Sequence, residues 1–266
     1  MISGPAVKRN IVMEDLIKKA AKDIAGSNKV IALTGAGVSV ESGIPPFRGK
    51  GGLWEKIDPM EFAHIDAFLR DPAKVWNILI REMKDIVDKA RPNDAHIGLA
   101  KLEKLGILKA IITQNVDGLH QMAGNSDVIE FHGNFAWQKC LDCGKKIETF
   151  KVSLYEIPPR CSCGGILRPD CVFFGEMIPP EHLMRSRKVS YECDIMLVVG
   201  TSALVQPAAY MPVIAKESGA IVIEINPENT PLTGSISDYL IRGNAGEIIK
   251  EIVAEVERLM QSKKNV

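Results

Sequence analysis

The sequence lacks the features that mark membrane proteins and nucleic-acid-binding proteins. Lysine plus arginine and aspartate plus glutamate number 33 each in 266 residues, so no excess of positive charge points to a nucleic acid or a membrane surface. No apolar run approaches the roughly 20 residues of a membrane span, and the N-terminus has no signal-peptide hydrophobic region. We therefore expect a soluble, cytoplasmic protein, and the sequence leaves its oligomeric state open.

Cysteine is too scarce for a disulfide scaffold, since the whole chain has six. Four of these six nevertheless cluster as Cys140-x2-Cys143 and Cys161-x-Cys163, with 17 residues between the two pairs. This spacing is close to the two-knuckle pattern of a tetrahedral zinc site, although the second knuckle is one residue short. Unligated thiols and a redox pair are the alternatives. Four thiolates leave no open coordination position, so we predict a structural Zn²⁺.

A third glycine is missing from the loop that follows the first predicted strand, residues 30–33. Gly35, Ala36 and Gly37 stand where a dinucleotide-binding turn has its first two glycines, whereas Val40 occupies the position of the third. Prolines at positions 45 and 46 then prevent a long helix from following. The loop therefore predicts a phosphate-binding turn and argues against a dehydrogenase.

Short apolar runs, typical of buried parallel strands, alternate with helical patterns along the chain. The predicted strands are residues 30–33, 107–113, 128–131, 195–199 and 221–225, and the predicted helices include residues 16–24, 95–105, 207–217 and 245–260. This alternation predicts an α/β fold with a doubly wound, Rossmann-like parallel sheet. Residues 1–10 show no periodic pattern.

Two stretches interrupt the alternation. Residues 50–92 have helical patterns with no strand between them, and residues 135–170 are rich in cysteine, glycine, proline and charge. We expect the first to be a helical insert and the second a zinc-binding module, which together make a small domain. The segments 11–49, 93–134 and 171–262 would then form the Rossmann-like domain.

Small or polar residues follow the other four predicted strands, at the edge where open α/β sheets bind ligands. They are Gln114, Asn115, Asp117 and His120 after the second strand, His132 and Asn134 after the third, Gly200, Thr201 and Ser202 after the fourth, and Asn226 and Glu228 after the fifth. A long polar dinucleotide explains five such strand ends better than coincidence does.

Two of these assignments have structural alternatives. Asn115 or Asp117 could cap a short helix, although four polar side chains together exceed what a cap needs. His132 is a candidate general base because an imidazole titrates at about pH 6.5, but a single histidine is more often structural.

Taken together, the motifs resemble those of the sirtuin family, the NAD-dependent protein-lysine deacylases, and in particular its prokaryotic type. The resemblance covers about residues 24–252. It rests on GAGVS at 35–39, SGIP at 42–45, FRG at 47–49, TQNVDGLH at 113–120, FHGN at 131–134, VFFGE at 172–176, GTS at 200–202 and the four cysteines. It implies that the Rossmann-like domain binds NAD and that the zinc is structural.

The resemblance also implies roles for individual residues. The cofactor loop includes Gly35, Ala36, Gly37 and Ser39, and the nicotinamide end includes Phe47, Arg48, Gln114, Asn115 and Asp117. The adenosine half is assigned Ser202, Asn226, Asn244 and Ala245, to which the strand-end argument adds Gly200, Thr201 and Glu228. The implied catalytic residues are His132 and Asn115. An acyl-lysine peptide would pair, as an added strand, with Val172, Phe173, Phe174 and Gly175.

The implied reaction removes an acyl group, most often acetyl, from a protein lysine. The acyl oxygen attacks the ribose of NAD as nicotinamide leaves, and His132 then acts as general base for a ribose hydroxyl that attacks the resulting imidate. Water completes the release of the lysine. The products are nicotinamide, deacylated lysine and O-acyl-ADP-ribose. A carboxylate at Glu82 would repel an acidic acyl group, so we expect acetyl or a neutral longer acyl group.

Two other functions fit the same residues. A protein ADP-ribosyltransferase would have the same cofactor site but would pass the ribosyl group to a protein side chain. A zinc-ribbon binding module on a dinucleotide-like fold would not cleave NAD, and the presence of both His132 and Asn115 argues against it. The products formed from NAD distinguish these functions.

Overall fold

A computed structural model describes residues 5–49 and 51–264 of the chain. The strands within these residues are β1 (Val30–Thr34), β2 (Leu108–Thr113), β3 (Val128–Glu130), β4 (Gly133–Cys140), β5 (Lys146–Glu148), β6 (Leu167–Cys171), β7 (Ile195–Val199), β8 (Ile221–Ile225) and β9 (Tyr239–Ile241). The α-helices are α1 (Pro5–Ala25), α2 (Pro59–Phe62), α3 (Ile65–Arg70), α4 (Pro72–Val75), α5 (Arg81–Lys89), α6 (Asp94–Lys104), α7 (Leu119–Ala123), α8 (Pro180–Glu192), α9 (Met211–Glu217) and α10 (Ala245–Lys264). None of the described helices is long and apolar enough to span a membrane.

Six strands form a parallel sheet in the order β3-β2-β1-β7-β8-β9. The doubly wound α/β fold predicted from the sequence is therefore confirmed. The direction of strand succession reverses between β1 and β7. In an open α/β sheet, such a reversal opens a crevice at the carboxyl ends of the strands, which is where ligands bind.

Side chains of the central strands pack against helices on both faces of the sheet. On β1, Val30 and Ala32 belong to the apolar cluster shared with α1, α6 and α10. Ile31 and Leu33 belong to the cluster shared with α8 and α9 on the other face. All five β1 residues are buried, as expected for a parallel strand that is covered on both sides.

The positions of most elements agree with the sequence pattern to within one or two residues. Strand β9 and the three strands β4, β5 and β6 have no sequence prediction. The helix predicted for residues 207–217 is α-helical only from Met211, after a 3₁₀ turn at Ala208–Tyr210. Helix α1 begins at Pro5, well before the predicted start at residue 16, and residues 1–4 lie outside the described residues.

The helical stretch between residues 51 and 92 contains no strand, as its pattern predicts, and packs on β6. A π-helical turn, Trp76–Ile80, joins α4 to α5. Trp76 is fully buried, and its indole N–H donates to the backbone carbonyl of Leu167 at 2.9 Å. The rings of Phe68 and Phe173 pack with their centroids 5.5 Å apart. These contacts fix the helices against the chain that follows β6.

A second, antiparallel sheet has the strand order β5-β4-β6. Its small size leaves little apolar surface to bury, and its apolar cluster is Cys140, Cys161 and Leu167 with two half-buried neighbours. The four cysteines lie at one end of this sheet, and all their Sγ atoms are within 4.8 Å of one another. A metal can therefore supply the stability that the core does not.

The cysteine cluster fits Zn²⁺. A tetrahedral site with Zn–S bonds of about 2.3 Å requires Sγ atoms roughly 3.8 Å apart. The Sγ atoms of Cys143 and Cys161 are 3.8 Å apart, and those of Cys140 and Cys163 are 3.5 Å apart. A Cβ atom at Gly165 would lie 2.7 Å from the sulfur of Cys140, so only glycine fits beside the cluster.

Backbone hydrogen bonds favour the thiolate form, which a metal needs, at two of the four cysteines. The backbone N–H of Cys163 lowers the pKa of the Cys161 thiol to about 6. The backbone N–H of Cys143 likewise lowers the pKa of Cys140. Buried Cys193, by contrast, has its pKa raised to about 12 by burial, and its thiol donates to the carbonyl of Ser190. The donor set and its surroundings thus match a structural zinc site.

We expect the purified chain to carry one Zn²⁺. The double substitution Cys161→Ser with Cys163→Ser removes one knuckle, so the protein should lose its zinc and its melting temperature should fall by roughly 10 °C. Elemental analysis and calorimetry measure the two effects. Cys193→Ser is the control and should keep a full zinc content. Undiminished zinc in the double variant would show that the cluster is not the site.

Candidate active site

The loop after β1 makes a close approach to the end of β7. The backbone N–H of Gly37 donates to the carbonyl of Gly200 at 2.7 Å, and that of Gly35 donates to Val199. A Cβ atom at Gly37 would lie 2.7 Å from the Cα of Gly200, so a side chain cannot be accommodated. A seven-residue 3₁₀ helix, Ala36–Ser42, follows in place of the long helix of a dinucleotide turn. The sequence prediction that no long helix follows the glycines is confirmed by this geometry.

The rest of this loop closes on itself. The backbone N–H groups of Leu53 and Trp54 donate to the carbonyls of Pro46 and Phe47 at 2.8 and 3.0 Å. The rings of Phe47 and Trp54 stack with their centroids 5.2 Å apart. Arg48, at the tip, is exposed. The loop is therefore closed by an aromatic pair, and its arginine is in contact with solvent.

Ser39 is the centre of a buried polar network. Its hydroxyl donates to Oδ2 of Asp117 at 2.7 Å and accepts from Nδ2 of Asn115 at 3.0 Å. Oδ1 of Asp117 accepts from the backbone N–H of Leu119, so this carboxylate caps α7 and also joins the network. The capping contact that the sequence left open is thus made by Asp117, which also belongs to the polar network. Oδ1 of Asn115 is buried without a partner among the described residues, which leaves an acceptor for a ligand or a water.

Two histidines support this network and have no assigned role in the sequence prediction. Nδ1 of His96, in the first turn of α6, lies 3.3 Å from the backbone nitrogen and 3.1 Å from the side-chain oxygen of Asn93, and its Nε2 lies 3.4 Å from the Ser39 hydroxyl. The ring of His120 lies 4.8 Å from that of His96, and its Nε2 contacts the hydroxyl of Thr34 at 3.0 Å. Burial lowers the pKa of His96 to about 4 and that of His120 well below its usual value. Both rings are neutral at pH 7.

The signal for His96 in the sequence was weak. It occupies a buried position of an amphipathic helix, between the apolar residues Ala95 and Leu99. A single histidine on the apolar face of a helix is normally interpreted as a core residue. Only the contact of His96 Nε2 with the Ser39 hydroxyl shows its connection to the site. His120 stands within the polar run after β2, where the sequence predicts a ligand edge, but its full burial makes it a support for Thr34.

His132 follows β3 and is held in one tautomer. Its Nδ1 lies 3.0 Å from the backbone carbonyl of Gln114, and a carbonyl can only accept, so Nδ1 carries the proton. The neutral ring therefore has its lone pair on Nε2. Burial lowers the pKa of His132 below its usual value, so the base form is populated at neutral pH. The Gln114 side chain donates to the Thr201 hydroxyl at 3.0 Å and so connects β2 to the end of β7.

The remaining predicted residues lie at the ends of β7, β8 and β9. Asn226 donates from Nδ2 to the carbonyl of Thr201 at 2.7 Å, which joins the first two of these ends. Ser202, Glu228 and Asn244 are exposed. Ala245 is the first residue of α10. These positions form a polar margin along the carboxyl edge of the sheet, next to the turn at Gly37 and Gly200.

The segment between residues 172 and 175 is not a regular strand, and it is fixed on both sides. The backbone N–H of Val172 donates to the carbonyl of His132 at 2.9 Å. Phe174 exchanges two backbone hydrogen bonds of 2.9 Å with the chain at Ala63 and Ile65, which leads into α3. The segment thus connects the candidate base to the helices that follow the cofactor loop.

Most backbone groups of this segment are already used within the protein. The N–H of Phe173 donates to the carboxylate of Glu176 at 2.8 Å, and its carbonyl accepts from the N–H of Glu176 at 3.1 Å. Among the hydrogen bonds of the described residues, none involves the N–H or the carbonyl of Gly175. Gly175 has a φ of 86°, and an added Cβ would lie 2.6 Å from Nε2 of His64. A partner strand would therefore find its free edge at Gly175.

Comparison with known proteins agrees with this arrangement. Residues 35–207 match the Sir2 family. The chain is 48% identical over 244 residues to NAD-dependent protein deacylase 1 of Archaeoglobus fulgidus. The alignment covers 91% of this chain and 99% of that protein. The chain is similar to the crystal structure of a Sir2 homolog–NAD complex, with a TM-score of 0.84, 49% identity and coverage of 91% and 94% of the two chains.

A further similar structure is that of a Sir2 protein bound to a myristoylated histone peptide. Its TM-score is 0.77 at 38% identity, with 94% of this chain and 99% of that chain covered. The family match spans more than half of the sequence, and the curated relative is similar over almost its whole length. By motifs, fold and similarity, the chain belongs to the Sir2 family.

Proposed function

We propose that the chain removes acyl groups, most often acetyl, from protein lysines with consumption of NAD, and releases nicotinamide and O-acyl-ADP-ribose. The observation that carries this proposal is the hydrogen bond from His132 Nδ1 to the Gln114 carbonyl, which leaves Nε2 as an unprotonated base at the carboxyl edge of the sheet. The same residue holds Val172 through its backbone carbonyl. A base, a nucleotide crevice and a peptide segment therefore meet at one residue.

The proposed NAD site extends along the carboxyl edge of the sheet. Its phosphate end is the turn of Gly35, Ala36, Gly37 and Ser39, and its nicotinamide end includes Phe47, Arg48, Gln114, Asn115 and Asp117. Its adenosine end includes Gly200, Thr201, Ser202, Asn226, Glu228, Asn244 and Ala245. The close contact of Gly37 with Gly200 supports this order, because it leaves bare backbone where a pyrophosphate needs to approach.

In the proposed mechanism, NAD supplies the ribosyl carbon that the acyl oxygen attacks and nicotinamide as the leaving group. Asn115, whose Oδ1 has no partner among the described residues, orients the reacting groups at the nicotinamide end. His132 accepts a proton from a ribose hydroxyl at Nε2, and the Gln114 carbonyl stabilises the imidazolium that forms through the proton on Nδ1. The closed loop that contains Phe47 and Trp54 excludes water from the first step.

The proposal also assigns a function to each part of the chain. In this proposal, residues 11–49, 93–134 and 171–262 bind NAD, residues 50–92 form the helical insert, and residues 135–170 form the zinc module. The clusters on the two faces of the parallel sheet contain only residues of the first set, which supports the division. The zinc is structural in this proposal, because four cysteines leave it no open position.

The proposed substrate is an acyl-lysine in an extended stretch of a protein. Its backbone pairs with the free edge at Gly175 of the segment Val172, Phe173, Phe174 and Gly175. Leu79 is buried against apolar neighbours, and exposed Glu82 opposes an acidic acyl group, which favours acetyl or a longer neutral chain. A similar protein binds a myristoylated histone peptide. The proposal includes a cytoplasmic location, where NAD and acylated proteins are both available.

Mass spectrometry of the products tests the function. Incubation with NAD and an acetyl-lysine peptide should give deacetylated peptide and O-acetyl-ADP-ribose. His132→Ala should lower kcat about 10²- to 10⁴-fold and leave the Kd of NAD nearly unchanged, because a general base acts in the reaction and not in binding. His182→Ala, on α8, is the control. Protein-linked ADP-ribose would instead indicate a transferase, and intact NAD would indicate a binding module.

The pH profile tests the protonation state of His132. Neutral His132 is the base, and burial lowers its pKa, so kcat/KM should be level at pH 7 and fall on the acid side with a midpoint below about pH 6.5. Buried His96 and His120 also have lowered pKa values, so folding stability is lost as the pH falls below their unfolded value. Circular dichroism at each pH separates the two effects. A midpoint above pH 6.5 in folded protein would contradict this assignment.

Substitution of Gly37 tests the phosphate turn. In Gly37→Ala the new Cβ meets the backbone of Gly200, and forced overpacking typically costs about 1–3 kcal/mol, so the Kd of NAD should rise roughly tenfold. Gly26→Ala is the matched control, since its Cβ would lie 3.3 Å from the nearest atom. Isothermal titration calorimetry with NAD measures both variants. Equal affinities would place the pyrophosphate elsewhere.

A further inference from the structure

Arg168 and Glu176 flank the peptide segment and have no role in the mechanism above. Arg168 lies on β6, and Glu176 directly follows Gly175. The Arg168 side chain is 8% exposed, which makes it the most buried cation among the ion pairs of the described residues. Burial of a guanidinium costs folding free energy unless every donor has an acceptor, so the acceptors of Arg168 indicate its structural role.

Every nitrogen of the Arg168 guanidinium has an acceptor. Its two Nη atoms donate to the two carboxylate oxygens of Glu176 at 2.6 and 2.7 Å, which is a bidentate ion pair. Nε donates to the carbonyl of Pro169 at 3.2 Å, and Nη2 also donates to the carbonyl of Cys171. The guanidinium lies over the ring of Phe173, 4.4 Å from its centroid. One side chain thus ties the end of β6 to both sides of the segment.

Glu176 completes the connection from the other end. Its Oε2 accepts two hydrogen bonds, one from the backbone N–H of Phe173 and one from Nη2 of Arg168. Its own backbone N–H donates to the carbonyl of Phe173, so a tight turn forms at residues 173–176. Because this turn uses both backbone groups of Phe173, the carbonyl of Val172 and the N–H and carbonyl of Gly175 are the groups of the segment without a hydrogen bond among the described residues.

We propose that Arg168 and Glu176 are positioning residues for the acyl-lysine peptide. This inference rests on the proposed function. The ion pair closes the loop from residue 168 to residue 176 and so sets the place of the Gly175 edge relative to His132, which is bonded to Val172 at the start of the segment. None of the side-chain hydrogen bonds of the pair reaches a residue of the NAD site.

The energetics of buried ion pairs support a positional role. Removal from water offsets most of the attraction between the two charges, so such a pair adds little net stability compared with apolar residues of the same size. Its geometry is nevertheless strict, because a fork of two parallel hydrogen bonds fixes both distance and orientation. The pair is thus suited to holding a short, irregular segment in one place.

The test separates peptide binding from NAD binding and from stability. Glu176→Gln keeps the size of the side chain and an acceptor for the Phe173 N–H but removes the charge. Loss of roughly one charge-assisted hydrogen bond should raise the KM of the acetyl peptide about tenfold, with kcat and the Kd of NAD changed less than about twofold. Arg168→Lys keeps the charge and loses the fork, so it should have the same effect.

Val256→Ala is the control for stability. Val256 is fully buried on α10, far along the chain from the segment, so its truncation lowers the melting temperature and should leave the peptide KM unchanged. An unchanged peptide KM in both loop variants, or an equal rise in Val256→Ala, would overturn the inference alone. A wild-type chain that releases no deacylated peptide would overturn the proposed function, and the inference would fall with it.

Discussion

The antiparallel pairing of β4 with β6 is the constraint on which the rest of the active site depends. These two strands run from the cysteine cluster at one end, with Cys140 opposite Leu167, to the catalytic edge at the other, where Gly133 pairs with Cys171. His132 immediately precedes the first strand, and Val172 immediately follows the second. A metal that holds the cysteines together therefore also fixes the spacing between His132 and Val172, the proposed base and the start of the proposed peptide segment, from the opposite end of the strand pair.

The network around Ser39 and the three histidines of the candidate site are largely removed from water. His96 and His120 are buried and His132 is half-buried, and this burial lowers the pKa of each. Neutral rings suit a site that must bind a dinucleotide and stabilise positive charge that develops during the reaction, because a permanent imidazolium would oppose that charge. The cost of burial is offset by hydrogen bonds, such as those of Ser39 with Asn115 and Asp117.

The sequence predicts the scaffold and the catalytic edge far better than it predicts the contacts that join them. Buried parallel strands are continuous apolar runs, and five of the six strands of the parallel sheet, all except β9, can be recognised directly from such runs. Residues such as Gln114 and His132 are visible because they follow those runs. His96 and Arg168 are not, since each depends on a partner far away in the chain, and only the folded chain shows that a helix residue reaches Ser39 or that β6 reaches Glu176.

The scarcity of free backbone on the peptide segment bears on specificity. The N–H groups of Val172, Phe173 and Phe174 all have acceptors within the protein, so a bound peptide can form only a short ladder at Gly175 and the residues beyond it. Backbone pairing of this kind does not depend on the side chains of the peptide, and a short ladder provides little binding affinity of its own. In the proposed binding mode, most of the recognition therefore comes from the acyl-lysine itself. An enzyme built in this way distinguishes a modified lysine from an unmodified one and accepts many surrounding sequences, provided that the lysine lies in an extended and accessible stretch of chain.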